Sequence, residues 1–166
     1  MNIKRMNTLA DTLANGLPRG VAFNMNVVIS SKDGVRGWRN GLRHQIGMDR
    51  CDTVCCLAGL ACMLWSPSSL VAGPFRIEHA AASALGLNKI VADRLFHPYV
   101  IHDYDAITPL RASRCVKDMV ITGRADWLSA CGWAVEGGEW VNQEGLYAAD
   151  FSGKRMEMAY GNGGGG

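Results

Sequence analysis

Apolar residues recur at helical spacing from the start of the chain. Ile3, Met6, Leu9, Ala10 and Leu13 predict an amphipathic helix over 3–14, and Asn15, Gly16 and Pro18 supply its stop. Phe23 and Met25 form a short apolar stretch after it. From Val28 to Arg50 the pattern breaks: glycines at 34, 37, 41 and 47 argue against a regular element, with at most a short helix over Trp38–Ile46. This stretch reads as a long surface excursion. Asp52 or Thr53 is then placed to cap a helix running to about Trp65. Val54, Cys55, Leu57, Ala58, Leu60, Ala61 and Leu64 make that helix apolar all round, the mark of a central, buried element. Gly59 and the alanines allow close approach of its neighbours, and Ser66-Pro67 ends it.

The second half is punctuated by caps. Ile77, Ala80, Ala81, Ala84 and Leu85 line one face of a helix over 76–85, with Gly86 at the C′ position and Leu87 as its apolar follower. Asn88 caps the next helix, whose apolar residues are Ile90, Val91, Leu95 and Phe96, and His97-Pro98 closes it. Thr108-Pro109 pairs a capping residue with proline at the first helical position. Ala112, Cys115, Val116, Met119 and Val120 follow on one face, and Gly123 ends that helix. Asp126 caps a further turn over Trp127–Cys131. Trp133–Glu136 and Glu139–Asn142, joined by Gly137-Gly138, predict a two-residue hairpin, although Glu136 and Glu139 would face each other. The expected fold is mainly α: a compact bundle of about five short helices around a buried central helix (about 53–65), with a small C-terminal β-hairpin (133–142). One domain spans 1–160, and 161–166 is a Gly-rich tail.

Composition agrees with one core. Of 166 residues, 48% are hydrophobic and 19% charged, which argues against disorder over most of the chain. The apolar run at Val54–Trp65 is shorter than the roughly 20 residues a membrane span needs. Lys4 and Arg5 are not followed by an apolar segment, so a secretory signal is not expected. Four of the six cysteines, Cys51, Cys55, Cys56 and Cys62, lie within twelve positions in a segment read as helix. Buried, reduced thiols and a cytoplasmic setting are therefore expected. Charge is uneven: residues 1–50 carry eight Lys or Arg against three Asp, whereas the remainder is net acidic.

That asymmetry points to the most suggestive surface. Lys32, Arg36, Arg39, Arg43 and Arg50 surround Trp38, combining cations for phosphates or an acidic protein with an aromatic for stacking. These six residues are the expected partner-binding set; a solvated loop with Trp38 folded inward is the plainer alternative. Cys51, Cys55 and Cys62, spaced along one helical face, are the residues that would hold a metal if any did, but no CxxC loop accompanies them. No metal or cofactor is expected. Cys51 at a helix N-terminus is the best candidate for a reactive thiol. His97, His102, Asp103 and Asp105 share one loop that could serve acid–base chemistry or simply connect two helices. Neither a phosphate-binding Walker loop nor a Gly-x-Ser-x-Gly elbow occurs.

The run Cys51-Asp52-Thr53-Val54-Cys55-Cys56-Leu57-Ala58-Gly59-Leu60-Ala61-Cys62 resembles a Cys-Gly-Thr-x-Ala-Cys-Ile-Ala-Gly-Trp-Ala motif of small bacteriophage and prophage proteins. Asp52 stands for Gly, Cys55 for Ala and Leu60 for Trp. The flanking order is similar as well: Phe23-Asn24-Met25 before the motif, then Ala84-Leu85-Gly86-Leu87, Leu95-Phe96, Ile107-Thr108, Thr122-Gly123 and Asp126-Trp127. The resemblance covers about residues 1–128, apart from the basic excursion. It implies a helical protein of the host cytoplasm and carries over no catalytic residue. The expectation is a non-enzymatic phage-type accessory protein that binds a host or phage macromolecule, a protein before a nucleic acid, with anti-defence one form of that role. The alternatives are a nucleic-acid-binding module using 32–50 and a small Cys-dependent enzyme or zinc protein.

Overall fold

A computed structural model describes residues 1–27, 29–31, 53–71, 74–101, 104–136 and 139–142. Among them the protein is mainly α. The helices are α1 (Ile3–Asn15), α2 (Leu57–Trp65), α3 (Pro74–Leu85), α4 (Lys89–Phe96), α5 (Pro109–Thr122) and α6 (Trp127–Ala130). Short 3-10 turns cover Pro67–Val71 and Tyr104–Ala106. Five strands complete the described elements: β1 (Val21–Phe23), β2 (Ile29–Ser31), β3 (Thr53–Cys55), β4 (Trp133–Glu136) and β5 (Glu139–Asn142).

The helix ends follow the capping chemistry of the sequence. Asn88, Thr108 and Asp126 each accept a hydrogen bond from the backbone N–H three residues on. Gly123 closes α5 at φ 75°. At the end of α3, Gly86 takes φ 63°, its N–H donates to the Ser83 carbonyl at 3.1 Å, and the Leu87 N–H donates to the Ala82 carbonyl at 2.9 Å. Those two bonds make a Schellman motif. A Cβ on Gly86 would also come within 3.0 Å of the Asn2 backbone N, so glycine is required there for space as well as for φ.

The start of the central helix departs from the expectation. Thr53–Cys55 is not its first turn but the middle strand of a three-stranded sheet of order β1-β3-β2. Ala22 pairs with Val54 in parallel, and Ser30 pairs with Val54 from the other side in antiparallel fashion. Asp52 and Thr53 therefore do not cap the helix: Cys56 is its N-cap and Leu57 its first residue. Backbone groups that a helical turn would have satisfied locally are satisfied instead by two distant strands. Ile29–Ser31 is likewise a strand rather than the opening of a surface loop. The rest of the excursion, 32–50, lies outside the described residues, as do Gly137, Gly138 and 143–166.

From Leu57 onward α2 is the buried centre. Leu57 through Cys62 are all buried, including Gly59. α2 lies along α3, and α1 lies along α5 with Met6, Leu9, Ala10 and Leu13 inward. The one buried polar side chain among the described residues, Ser113, donates its hydroxyl to the Ala10 carbonyl at 2.7 Å, joining α5 to α1. The start of α1 clamps the end of α3: the Asn2 N–H donates to the Leu85 carbonyl at 2.7 Å, and Arg5 Nη1 donates to the Ala84 carbonyl at 2.8 Å. Two C-terminal carbonyls of α3 are thereby satisfied. β4 and β5 pair as the sequence predicts, with Glu136 opposite Glu139. No helix among the described residues is long and apolar enough to cross a membrane.

Burial of Gly59 yields a stability test. Gly59→Leu adds four carbons to a helix face with no exposed side, and it is expected to cost about 1–3 kcal/mol by overpacking. Chemical denaturation followed by circular dichroism measures this; an unchanged midpoint would mean that the neighbours of α2 are not close at Gly59.

Candidate functional site

The sequence-predicted partner-binding residues Lys32, Arg36, Trp38, Arg39, Arg43 and Arg50 lie outside the described residues, and so do Cys51, His102 and Asp103. The remaining candidates do not assemble. Cys55 sits on β3 and Cys62 in the second turn of α2, so the helical spacing that placed them on one face does not apply. Burial pushes the Cys55 thiol up to about 12 and the Cys62 thiol up to about 11, with the neighbouring Cys56 adding to both. The Cys62 thiol donates to the Ile77 carbonyl at 3.1 Å, the role of a packed, protonated group. Cys56 occupies the N-cap of α2, where the backbone N–H groups of Gly59 and Ala58 favour its thiolate, but desolvation outweighs them and its pKa is raised. At neutral pH these thiols are protonated, the weak form for both nucleophilic attack and metal binding. Among the described residues no group of three or more His, Cys, Asp or Glu is arranged to hold a metal ion.

The expected polar loop is divided as well. Asp105 Oδ1 accepts from Asn24 Nδ2 at 3.0 Å and from Asn26 Nδ2 at 2.8 Å, which fastens the turn after β1 to the 3-10 turn at Tyr104–Ala106. His97 looks the other way: its Nε2 lies 3.4 Å from Glu78 Oε1 on α3.

That pair marks the feature with the most functional character. α3 and α4 form a helical hairpin closed at one end by Gly86-Leu87 and bridged at the other by His97 and Glu78. Between them runs an open groove of about 560 Å³, within the size range of ligand-binding clefts. Phe75, Ala82, Leu87, Ala92 and Phe96 give it an apolar lining. Glu78, His79, Ser83, Lys89, Asp93 and His97 supply its polar groups. Phe75 is 87% exposed on the rim, an unusual state for a phenylalanine. Ile90 (67%) and Tyr99 (66%) are also turned outward nearby in sequence, whereas Ala92 is buried.

The rim is partly organised. Tyr99 stacks on His97 with ring centroids 5.6 Å apart, and its hydroxyl donates to Asp93 Oδ1 at 3.1 Å. Desolvation first, then the Asp93 carboxylate, push the Tyr99 phenol up, which keeps it a donor at neutral pH. These contacts engage one oxygen of Glu78 and one of Asp93. Lys89, His79 and the Ser83 hydroxyl make no hydrogen bond or ion pair among the described residues. A lined, apolar groove with uncommitted polar groups can bind; nothing in it couples a nucleophile to a base.

Of these residues the sequence singled out only His97. The overlooked signal was Phe75, which falls off the Ile77–Ala81–Ala84–Leu85 stripe and so had to point away from the core. No family model, curated protein or solved structure matches this chain.

Proposed function

We propose that this chain is a non-enzymatic, phage-type accessory protein that binds a host or phage macromolecule, a protein in the first instance, through the groove between α3 and α4. The observation that carries the reading is Phe75, 87% exposed on the rim of a cleft whose floor is apolar. Exposed aromatics beside apolar clefts are typical anchors of interfaces. The Cys51–Cys62 resemblance and its flanking residues support the phage setting, with the host cytoplasm as the place of action and anti-defence as one form of it. The test is capture of partners from host lysate on tagged wild type and on Phe75→Glu. An anchor in a desolvated pocket is worth about 2 kcal/mol or more, so the variant should lose its specific partner while melting like wild type. A folded Phe75→Glu that retains every partner would remove the groove from the function.

The second reading is a nucleic-acid-binding module, favoured by Arg36, Arg39 and Arg43 around Trp38. It predicts binding to generic DNA or RNA that weakens steeply with salt, through counterion release, and that is lost on replacing the three arginines with alanine. Binding that depends on Phe75 but not on those arginines favours the groove.

A further inference from the structure

The groove has a polarity of charge. The His97–Glu78 pair sets the C-terminal end of α4 beside the first turns of α3, and the Schellman turn joins the opposite ends. Glu78 and, one turn beyond Lys89 along α4, Asp93 therefore lie toward the Phe75 mouth. Lys89 lies toward the closed end, in the first turn of α4 next to Ser83 and Leu87. Glu78 Oε2 and Asp93 Oδ2 have no protein partner among the described residues, and neither does the Lys89 ammonium. Small residues at Ala82, Ser83 and Ala92 let a backbone approach between the ends. From Phe75 to Ser83 the wall runs about 12 Å, two turns of helix at about 1.5 Å per residue.

We infer that the groove takes an amphipathic helix of a partner protein, apolar face down, running parallel to α3. This rests on the groove being the docking face proposed above and adds the partner's chemistry and direction. The partner's N-terminal end, with its positive half-dipole and a Lys or Arg, lies over Glu78 and Asp93. Its C-terminal end, with an Asp or Glu, lies over Lys89. Side chain and dipole act in the same sense at both ends. Phe75, at the mouth, closes over an apolar anchor in the partner's first turn, the helix-in-groove mode of recognition.

The probes are three stapled amphipathic helices of about three turns that share one apolar face. The first has lysine in its first turn and glutamate in its last, the second has the reverse, and the third has glutamine at both. The second is the one a free helix prefers by its own dipole, so a preference for the first can come only from the groove. Fluorescence anisotropy should show the first binding about tenfold or more tighter than the second, with the third between them, because the second can set its charges on Glu78, Asp93 and Lys89 only by turning end for end, which reverses its dipole and the order of its apolar residues. Asp93→Asn with Lys89→Gln should shrink the difference to the part that Glu78 alone supplies, about threefold or less, while leaving the melting temperature and the apolar contribution in place. Equal binding of the first two peptides overturns the inferred direction, and saturable binding by none of them overturns the helical occupant. Concentration-dependent self-association lost in Phe75→Glu would also overturn it, by making the occupant a second copy of the chain. Each of these results leaves standing a Phe75-dependent capture from lysate, which tests the docking face separately.

Discussion

Trp127→Ala is expected to be the most damaging single truncation among the described residues, costing about 3–5 kcal/mol. The indole is 2% exposed, and its Nε1 donates to the Arg94 carbonyl at 3.1 Å. Arg94 lies in the last turn of α4, where carbonyls have no partner within the helix, so the indole acts as a C-terminal cap from a different helix. Truncation removes the largest fully buried side chain among the described residues and leaves that carbonyl unpaired in one step. For a domain of this size the melting temperature should fall by roughly 6–20 °C, read by circular dichroism. Trp127→Phe should keep most of the packing and lose mainly the hydrogen bond, about 1 kcal/mol. The ratio of the two effects separates volume from capping. Because α4 forms one wall of the groove, Trp127→Ala should also weaken partner binding at temperatures where the protein is still folded.

The elements that were legible in the sequence are those whose determinants are local. Asn88, Thr108-Pro109 and Asp126 cap from within one turn, and Gly86-Leu87 closes a helix through bonds reaching only three and five residues back. Thr53–Cys55 was not legible for the opposite reason. Its partners are Val21–Phe23 and Ile29–Ser31, more than twenty residues away, and Val54-Cys55 before Leu57 prolongs an apolar run equally well as helix or strand. Tertiary pairing decided between the two. The groove was hidden because it belongs to neither helix alone: Glu78 and His97 become neighbours only when the Gly86 turn folds α4 back along α3. What the chain did disclose was the negative side of the pattern. Phe75 could not join the inward stripe of α3, and the structure leaves it exposed on the rim of the groove.

The buried thiols give the molecule a specific weakness at high pH. Cys55 is fully buried, and desolvation lifts it from its ordinary value of 9.0 to about 12. Unfolded chains lose this proton near 9, while the folded chain holds it until about 12. Above pH 9 the unfolded state therefore binds fewer protons than the native one, and stability falls as pH rises. Below 9 both states are protonated and the group has no effect. Across the window the loss from Cys55 alone is about 1.4 kcal/mol for each pH unit, or on the order of 4 kcal/mol by pH 12. That is a large part of the 5–15 kcal/mol by which domains are typically stable. Cys62, lifted to about 11, acts in the same direction over a narrower range, and Cys115 is raised well above 9.0 by burial too. Denaturant midpoints measured from pH 8 to 11 should fall more steeply for wild type than for Cys55→Ala, although the variant starts lower by the packing it has lost. Slopes that coincide would mean that Cys55 reaches solvent in the folded state. A thiol-reactive dye should then label it without unfolding, whereas a closed β3–α2 junction leaves Cys55 unlabelled until denaturant opens the core.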